Sequence, residues 1–198
     1  MRFVVLSSSR GTTFEAVLQA IKDRKLFAPC LGLVTDKADR GCIEKARAHG
    51  IPVTVIERKK DEDRQDYDMR LDLAIREFTG DKSDDVVLAA LGWMYIFSGW
   101  FVAGWKNRII NVHPSLLPKY PGGHALEDAL AAGEKETGMT IHVIDDGVDT
   151  GPVLLQKTCP VKPGDTLETL KPRVQELEKQ WYPYVLAMID AGRMQLPR

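Results

Sequence analysis

The stretch FVVLSSSRGTTFEAVLQAI, from Phe3 to Ile21, decides the fold. It begins with the continuous apolar run Phe3–Leu6, which is typical of a strand buried on both faces of a sheet. It ends in Phe14–Ile21, where apolar residues recur at helical spacing and predict one buried helix face. Between them, Thr12 and Glu15 have the spacing of a capping box at a helix start. The stretch therefore predicts a buried strand that leads directly into a helix.

The same alternation of apolar runs and amphipathic stretches continues along the chain. Further strands are predicted at Cys30–Val34, Val53–Ile56, Asp85–Leu91, Arg108–Asn111, Thr140–Ile144 and Val153–Thr158. Further helices are predicted at Asp39–Gly50, Asp63–Phe78, Ile96–Trp105, Leu126–Ala132 and Leu167–Ala191, the last with a kink at Pro183. This order predicts an α/β fold, a doubly wound and mostly parallel sheet in a single domain, 1–198. Such sheets bind ligands beyond the carboxyl ends of their strands.

Composition excludes several classes of protein. The 198 residues include 27 Lys and Arg against 28 Asp and Glu, a formal charge of −1. This balance argues against nucleic acid or an anionic membrane as the partner, because both attract basic proteins. No apolar run approaches the roughly 20 residues of a membrane span, and the N-terminal run is too short for a signal peptide.

The cysteines and histidines point to a reducing compartment without a bound metal. Cys30, Cys42 and Cys159 are odd in number and widely spaced, so we expect no disulfide framework and a cytoplasmic protein. The four histidines do not cluster, and we expect no metal site.

The loop after the first strand, Ser7–Thr13, leads into a helix N-terminus. Free N–H groups and the helix dipole favour an anion there, and hydroxyls with one glycine and one arginine suit a phosphate. The loop has neither the GxGxxG pattern of dinucleotide sites nor the GK[ST] of a Walker A motif. It indicates either a phosphate site or simply a polar loop before a well-capped helix.

A second polar group follows later strands. Asn111 and His113 are two residues apart at a strand end, so they lie on the same side of the chain. An amide and an imidazole can together stabilise an oxyanion, and the imidazole can move a proton near neutral pH. Asp149 lies in a turn flanked by Gly147 and Gly151, where its carboxylate could orient His113. Each residue alone is more often structural; together at two strand ends they favour a catalytic site.

Two motifs carry a family resemblance. INVHPSLLPKYPG (Ile110–Gly122) followed by HVIDDGVDTGPVLLQ (His142–Gln156) resembles the signature of the formyltetrahydrofolate-dependent formyltransferases. The likeness extends over nearly the whole chain through FVVLSSSRGT, TDKADRGCIEKARAHGIP, DRQDYD, VVLAALGWMYIF and VQELEKQWYP. It implies a Rossmann-like fold and transfer of the formyl group of 10-formyltetrahydrofolate, a co-substrate, to an amine. The most similar branch formylates glycinamide ribonucleotide in de novo purine biosynthesis.

The resemblance also implies roles for individual residues. Asn111 and His113 would bind the formyl oxygen as it becomes an oxyanion, and Asp149 would position His113 and carry the proton away. The resemblance assigns the remaining residues to an acceptor site and to a folate pocket. The acceptor site would comprise N–H groups of Gly11, Thr12 and Thr13 for a phosphate, Arg64 as its counter-charge, and Glu178 with Gln175 for ribose hydroxyls. The folate pocket would comprise Leu91, Met94, Tyr95, Ile96, Phe97, Val143, Asp145, Asp146 and Gly147, with Ser115 and His124 in the loops that shape the site.

The resemblance divides the chain and leaves the acceptor open. Residues 1–107 would form the half that binds the phosphate and substrate, and 108–198 the catalytic and folate-binding half.

Ser9 and Thr13 stand where the family usually has Gly and Asn, and Tyr95 where the purine branch has Arg. Leu126 and Glu127 replace a His and an Arg. Another small amine such as an aminosugar nucleotide, a deformylase reaction, or a non-catalytic binding module therefore remain alternatives.

The length sets one further expectation. At 198 residues we expect only the catalytic core, without the RNA-binding or regulatory domains of other branches. The acceptor would then be a small molecule, and the protein a monomer or homodimer. Because no cysteine lies in the implied site, we expect direct transfer through a tetrahedral intermediate.

Overall fold

A computed structural model describes residues 1–80 and 84–197. The chain forms one seven-stranded sheet in the order β3-β2-β1-β4-β5-β6-β7. The strands are β1 (Arg2–Leu6), β2 (Cys30–Thr35), β3 (Val53–Val55), β4 (Val86–Ala90), β5 (Ile109–His113), β6 (Glu136–Val143) and β7 (Val153–Pro160). The helices are α1 (Thr12–Lys22), α2 (Cys42–Ala48), α3 (Arg64–Thr79), α4 (Gly99–Gly104), α5 (Ala125–Ala131) and α6 (Leu167–Asp190).

The strand pairing confirms the predicted doubly wound, mostly parallel sheet. β1 pairs in parallel with β2 and with β4, and the pairs β2–β3 and β4–β5 are also parallel. β6 and β7 complete the sheet as antiparallel strands. The strand order reverses between β1 and β4, so the ends of these strands at Leu6 and Ala90 border the crevice where such sheets bind ligands.

Both faces of the central strands are buried, which explains their continuous apolar runs. Phe3 and Val5 of β1 pack in one cluster with α1, α2 and α6. Val4 and Leu6 of the same strand face the opposite side, in a second cluster with α3 and α4. Successive strand residues point to opposite faces, so a two-sided core requires apolar residues at every position.

Two buried carboxylates on α3 hold the segment that follows β4. Asp68 accepts a hydrogen bond from the backbone N–H of Ser98 at 2.5 Å, and Asp72 accepts one from the indole N–H of Trp105 at 2.8 Å. Burial raises the pKa of Asp68, although the bonds from Ser98 act in the opposite direction. The Ser98 hydroxyl in turn accepts from the N–H of Phe101 and caps α4. The loop between β4 and α4 is thereby fixed at its far end.

The predicted capping box at the start of α1 is wrong. Gly11 occupies the cap position in a left-handed conformation with φ 77°, and no side chain caps the helix. The carboxylate of Glu15 pairs with Lys45 on α2 instead of reaching back to the cap. A side chain at Gly11 would place its Cβ 2.8 Å from the Cα of Cys42, so close packing as well as conformation requires glycine.

Other element boundaries differ by a few residues. α2 begins at Cys42 because Arg40, predicted to be helical, reaches back to Asp36 with two hydrogen bonds. α4 begins at Gly99, which leaves Ile96 and Phe97 in the preceding loop. α6 continues as one helix past Pro183 to Asp190, so the predicted kink does not divide it.

Tyr182 joins α6 to the centre of the sheet. Its side chain is fully buried, and its hydroxyl donates to the carbonyl oxygen of Ile110 in β5 at 2.8 Å. Tyr182→Phe should lower the free energy of unfolding by about 1 kcal/mol, because a buried hydrogen bond is lost. Urea denaturation measures the change, with an unaltered m-value expected. Tyr184→Phe on the exposed face of the same helix is the matched control; equal stability of the two variants would contradict the prediction.

Candidate active site

A large cavity lies at the carboxyl ends of β1, β4 and β5, where the strand order predicts a ligand site. Its volume is about 760 Å³, within the range of small-molecule sites. The wall comprises the loop after β1, the loop after β4, the ends of β5 and β6, and one face of α6. Of the residues predicted for the site, it includes Thr12, Thr13, Leu91, Met94, Tyr95, Ile96, Phe97, Asn111, His113, Asp145, Asp146, Gly147, Asp149, Gln175 and Glu178.

Asp149 is the centre of a buried polar cluster on this wall. Its carboxylate lies 3.3 Å from Nδ1 of His113 and 3.5 Å from Nε2 of His142. It also accepts a hydrogen bond from the N–H of Gly122 at 2.8 Å. Burial acts to raise the pKa of Asp149, but the hydrogen bonds from His142 and Gly122 and the nearby His113 outweigh it and lower the pKa. The carboxylate is therefore ionised at neutral pH.

His142 belongs to this cluster although the sequence reasoning did not select it. It pairs with Asn111 across the antiparallel β5–β6 ladder, and the Asn111 amide nitrogen lies 3.1 Å from its Nε2. Its Nδ1 lies 3.1 Å from the carbonyl oxygen of Val143. Neutral His142 donates from Nδ1 and accepts from Asn111, whereas protonated His142 donates to Asp149. The available signal was its place at the head of the HVIDDG motif, but strand register was needed to interpret it.

His113 has protein partners on both ring nitrogens. Nε2 lies 2.8 Å from the carbonyl oxygen of Tyr120, to which it donates, and Nδ1 faces the carboxylate of Asp149. The His113 side chain is 6% exposed. To act on an oxyanion, as the resemblance implies, His113 must exchange one of these partners for substrate.

The loop after β5 is held in place by Ser115 and Thr140. The fully buried Ser115 donates from its hydroxyl to the carbonyl of Lys119 at 2.6 Å. Thr140 on β6 donates to the carbonyl of Ser115 and accepts from the N–H of Leu117. Ser115 thus helps to hold the loop after β5. His124, the other residue assigned to this role, is exposed at the cap of α5 and does not line the cavity.

At the β1 end of the cavity, the loop offers backbone N–H groups of the first turn of α1. The N–H of Gly11, predicted to bind the phosphate, instead donates to the Ser9 hydroxyl at 3.1 Å. Gly11 is buried against Cys42 and does not line the cavity. Thr12 and Thr13 do line it, and no side chain caps their N–H groups. Of the three residues predicted to bind the phosphate, these two thus have N–H groups placed where an anion could bind.

The basic side chains on the cavity wall are Arg10, Arg40 and Lys171. Arg64, the counter-charge implied by the resemblance, is exposed at the first residue of α3 and does not line the cavity. Arg40 is held by the buried carboxylate of Asp36 through bonds of 2.8 and 2.7 Å, which raises the pKa of the arginine. Sequence reasoning missed Arg40 because its place on the cavity wall depends on how the segment before α2 packs.

The loop after β4 presents free backbone groups and apolar side chains. Within residues 1–80 and 84–197, the N–H and C=O groups of Met94, Tyr95 and Ile96 make no hydrogen bond to another residue. Met94 and Ile96 are 69% and 55% exposed, and Phe97 is buried. The turn 145–148, in which the Asp145 carboxylate accepts from the N–H of Gly147 at 3.1 Å, lines the same cavity. This slot suits a flat heterocycle with polar edges.

Val143, predicted to line the folate pocket, is fully buried and does not line the cavity, because alternation along β6 turns it away from His142. In the described part of the chain, no group of His, Cys, Asp and Glu side chains could hold a metal ion. Among the same residues, no helix is long and apolar enough to cross a membrane.

Comparisons with a family model, with relatives and with a solved structure agree with one another. The family model described as "Formyl transferase" matches residues 1–186. The phosphoribosylglycinamide formyltransferases of Escherichia coli and Bacillus subtilis are 38% and 36% identical, over 99% and 95% of this chain and 90% and 94% of theirs. A crystal structure of glycinamide ribonucleotide transformylase 1 from Symbiobacterium toebii superposes with TM-score 0.92 at 31% identity, covering 100% of this chain and 91% of that one.

Larger proteins match as well. The trifunctional purine biosynthetic protein adenosine-3 of Homo sapiens is 37% identical over 195 residues, 98% of this chain. This chain spans 19% of that protein, and 14% of the corresponding protein of Drosophila pseudoobscura.

The bond between Asp149 and Gly122 should control the mobility of the loop after β5. Asp149→Ala removes the acceptor, so amide exchange at Gly122, measured by hydrogen–deuterium exchange, should accelerate by about tenfold or more. Asp149→Asn keeps an oxygen that accepts from this N–H, and it tolerates the left-handed φ of 55° at this position. It should leave exchange at Gly122 close to the wild-type rate. Equal acceleration in both variants would contradict the assignment of the bond.

Proposed function

The chain belongs to the formyl transferase family, and from this premise we propose that it transfers the formyl group of 10-formyltetrahydrofolate to the amine of glycinamide ribonucleotide, a step of purine biosynthesis. The observation that carries the proposal is the position of the Asn111, His113 and Asp149 cluster. It lies between a helix start suited to a phosphate and a slot suited to a heterocycle. The names of the Escherichia coli and Bacillus subtilis relatives support the choice of acceptor.

The residues present fit the folate co-substrate, which supplies the formyl carbon as electrophile. The backbone of Met94–Ile96 offers unpaired donors and acceptors to the edge of a pterin ring, and the side chains of Met94, Ile96 and Phe97 offer apolar contact. Asp145 and Gly147 line the same cavity. A cavity of about 760 Å³ leaves room for a second substrate beside it.

The acceptor would occupy the β1 end of the same cavity. The N–H groups of Thr12 and Thr13, with Arg10 and Arg40, would bind its phosphate. Glu178 and Gln175 on α6 would bind the ribose hydroxyls. Local N–H groups and arginines suffice for one phosphate, which agrees with a chain whose formal charge is only −1.

In the proposed reaction the acceptor nitrogen attacks the formyl carbon and forms the new C–N bond. The Asn111 amide and the His113 imidazole stabilise the oxyanion of the tetrahedral intermediate. The bond from the formyl carbon to N10 of the folate then breaks. The proton lost by the acceptor amine passes to N10 through His113 and Asp149, whose ionised carboxylate favours the imidazolium. Cys30, Cys42 and Cys159 do not line the cavity, which supports direct transfer without a covalent enzyme intermediate.

The test is turnover with 10-formyltetrahydrofolate and a panel of amines that includes glycinamide ribonucleotide and an aminosugar nucleotide. We expect loss of the formyl group only with glycinamide ribonucleotide, and formylated acceptor in equal amount. Formate release without an acceptor would identify a deformylase, and turnover of the aminosugar nucleotide a different transferase. Folate binding without turnover of any amine would indicate a binding module.

The free cysteines also support the cytoplasm as the compartment.

The oxyanion donor and the carboxylate should be necessary for turnover. Asn111→Ala and Asp149→Asn should each lower kcat by about 10²–10³-fold, as removal of one preorganised group does in related chemistry. Steady-state kinetics with glycinamide ribonucleotide measure the effect, and circular dichroism verifies the fold. Asp66→Asn, an exposed residue in the first turn of α3, is the matched control and should keep wild-type kcat. Near-wild-type rates for either site variant would refute the assignment.

The structure favours Arg10 over Arg64 as a contact for the acceptor phosphate. Arg10→Ala should raise KM for glycinamide ribonucleotide by about tenfold, because a charge-assisted hydrogen bond is lost, and should leave KM for the folate unchanged. Arg64→Ala should change the acceptor KM by less than about twofold, since an exposed charge outside the cavity is screened by solvent. The reverse order of effects would show that Arg64 reaches the phosphate.

A further inference from the structure

The contact between Thr13 and Glu178 joins the two helices that border the acceptor end of the cavity. Thr13 lies in the first turn of α1, and Glu178 lies in the middle of α6. The threonine hydroxyl donates to Oε2 of the glutamate at 3.1 Å. Thr13 is 6% exposed, so its side chain is directed into the protein and towards this carboxylate.

Glu178 has capacity for further donors. Among residues 1–80 and 84–197, the Thr13 hydroxyl is the one hydrogen-bond donor to its carboxylate, and no cationic side chain lies within 4 Å. The residue borders both the main cavity and a side cavity of about 130 Å³ between α5 and α6. A half-buried carboxylate has several lone pairs, and here only one is used by the protein. A ligand that brings two adjacent donors, such as a vicinal diol, would use the others.

The Thr13 hydroxyl has a single proton, and it is committed to Glu178. Its side chain is therefore not available to donate to a bound acceptor, whereas its backbone N–H at the start of α1 remains available for a phosphate. The two functions of this residue are separable by substitution, because a change of side chain leaves the N–H in place.

We infer that Thr13 is a positioning residue: its hydroxyl holds the Glu178 carboxylate for the vicinal hydroxyls of the acceptor's ribose, and so sets the pH range in which the acceptor binds. The inference rests on the proposed function, because it takes the acceptor to be a ribonucleotide. The side chain of Thr13 would thereby connect the phosphate end of the site with the ribose end.

The electrostatics of Glu178 give the expected pH dependence. Burial raises its pKa to about 7, while the Thr13 bond and the positive charges of Lys171 and Lys179 act to lower it. A diol donates its two protons to the ionised carboxylate and loses this acceptor when the carboxyl is protonated. Acceptor binding should therefore weaken as pH falls through about 7. Without the hydroxyl the ionised form is less favoured, and this weakening should begin at a higher pH.

Other charged groups around Glu178 do not reverse this expectation. Lys171 is the charged residue of α6 that lines both cavities, and Glu127 faces the side cavity from α5. Arg10 lines the main cavity from the loop before α1. The positive charge of Lys171 favours the ionised form of Glu178.

The experiment compares Thr13→Val with Thr13→Ser in the full-length protein. Valine keeps the branched shape and the backbone N–H but removes the donor, whereas serine keeps the hydroxyl. Steady-state kinetics from about pH 6 to pH 9 yield KM for glycinamide ribonucleotide and for 10-formyltetrahydrofolate. For Thr13→Val we expect about a tenfold rise in the acceptor KM, an unchanged folate KM and a kcat within about twofold of wild type. The acidic limb of kcat/KM for the acceptor should move to higher pH, and Thr13→Ser should restore both properties.

A second acceptor tests the chemistry directly. Wild type should lose affinity for 2′-deoxy glycinamide ribonucleotide, while Thr13→Val should lose little more, because its Glu178 is already misplaced. An acceptor KM and pH profile in Thr13→Val equal to wild type would overturn the inference. So would equal rises in both KM values, which indicate a general structural effect. A wild type that does not formylate glycinamide ribonucleotide would instead refute the proposed function, and the inference with it.

Discussion

The carboxylate of Asp149 is the interaction on which the arrangement of the site depends. It receives the N–H of Gly122 from the loop after β5, and it faces His113 at the end of β5 and His142 on β6. Three segments of the chain thus meet at one charge. Those contacts also keep the carboxylate ionised despite its burial, because hydrogen bonds and nearby imidazoles favour the charged form. The contacts that orient the site therefore also give the Asp149 carboxylate its capacity to attract a proton.

The fold determines where that charge can be. The strand order reverses between β1 and β4, so the two loops that leave these strands diverge and open a crevice. The loop after β1 leads into a helix start with uncapped N–H groups, and the loop after β4 is anchored by Asp68 through Ser98. At both ends of the cavity, the backbone therefore offers unpaired polar groups to a ligand. A protein with almost no net charge can hold an anionic ligand in this way.

The fold brings some of the residues selected from motifs to the cavity wall and leaves others away from it. Asn111 and His113 reach the cavity because alternation along one strand is a local property. Arg64 does not, because its direction depends on how α3 sits against the sheet. Gly11 serves the loop in a different way from the one expected: its small size admits Cys42, and its N–H is taken by Ser9. Such positions are decided by neighbours that a linear pattern does not identify.

The sequence by itself determined the order of strands and helices and the two-sided burial of the central strands, and it led to the proposal that Asn111, His113 and Asp149 form the reactive group. These follow from periodicity and short motifs, which are local. Only the tertiary structure decided that His142 lies beside Asn111 and Asp149, that Arg10 and Arg40 are the arginines on the cavity wall, and that Thr13 is bonded to Glu178. The reason is that antiparallel register and helix packing are set by contacts between distant segments, so that residues 165 apart in sequence share one hydrogen bond.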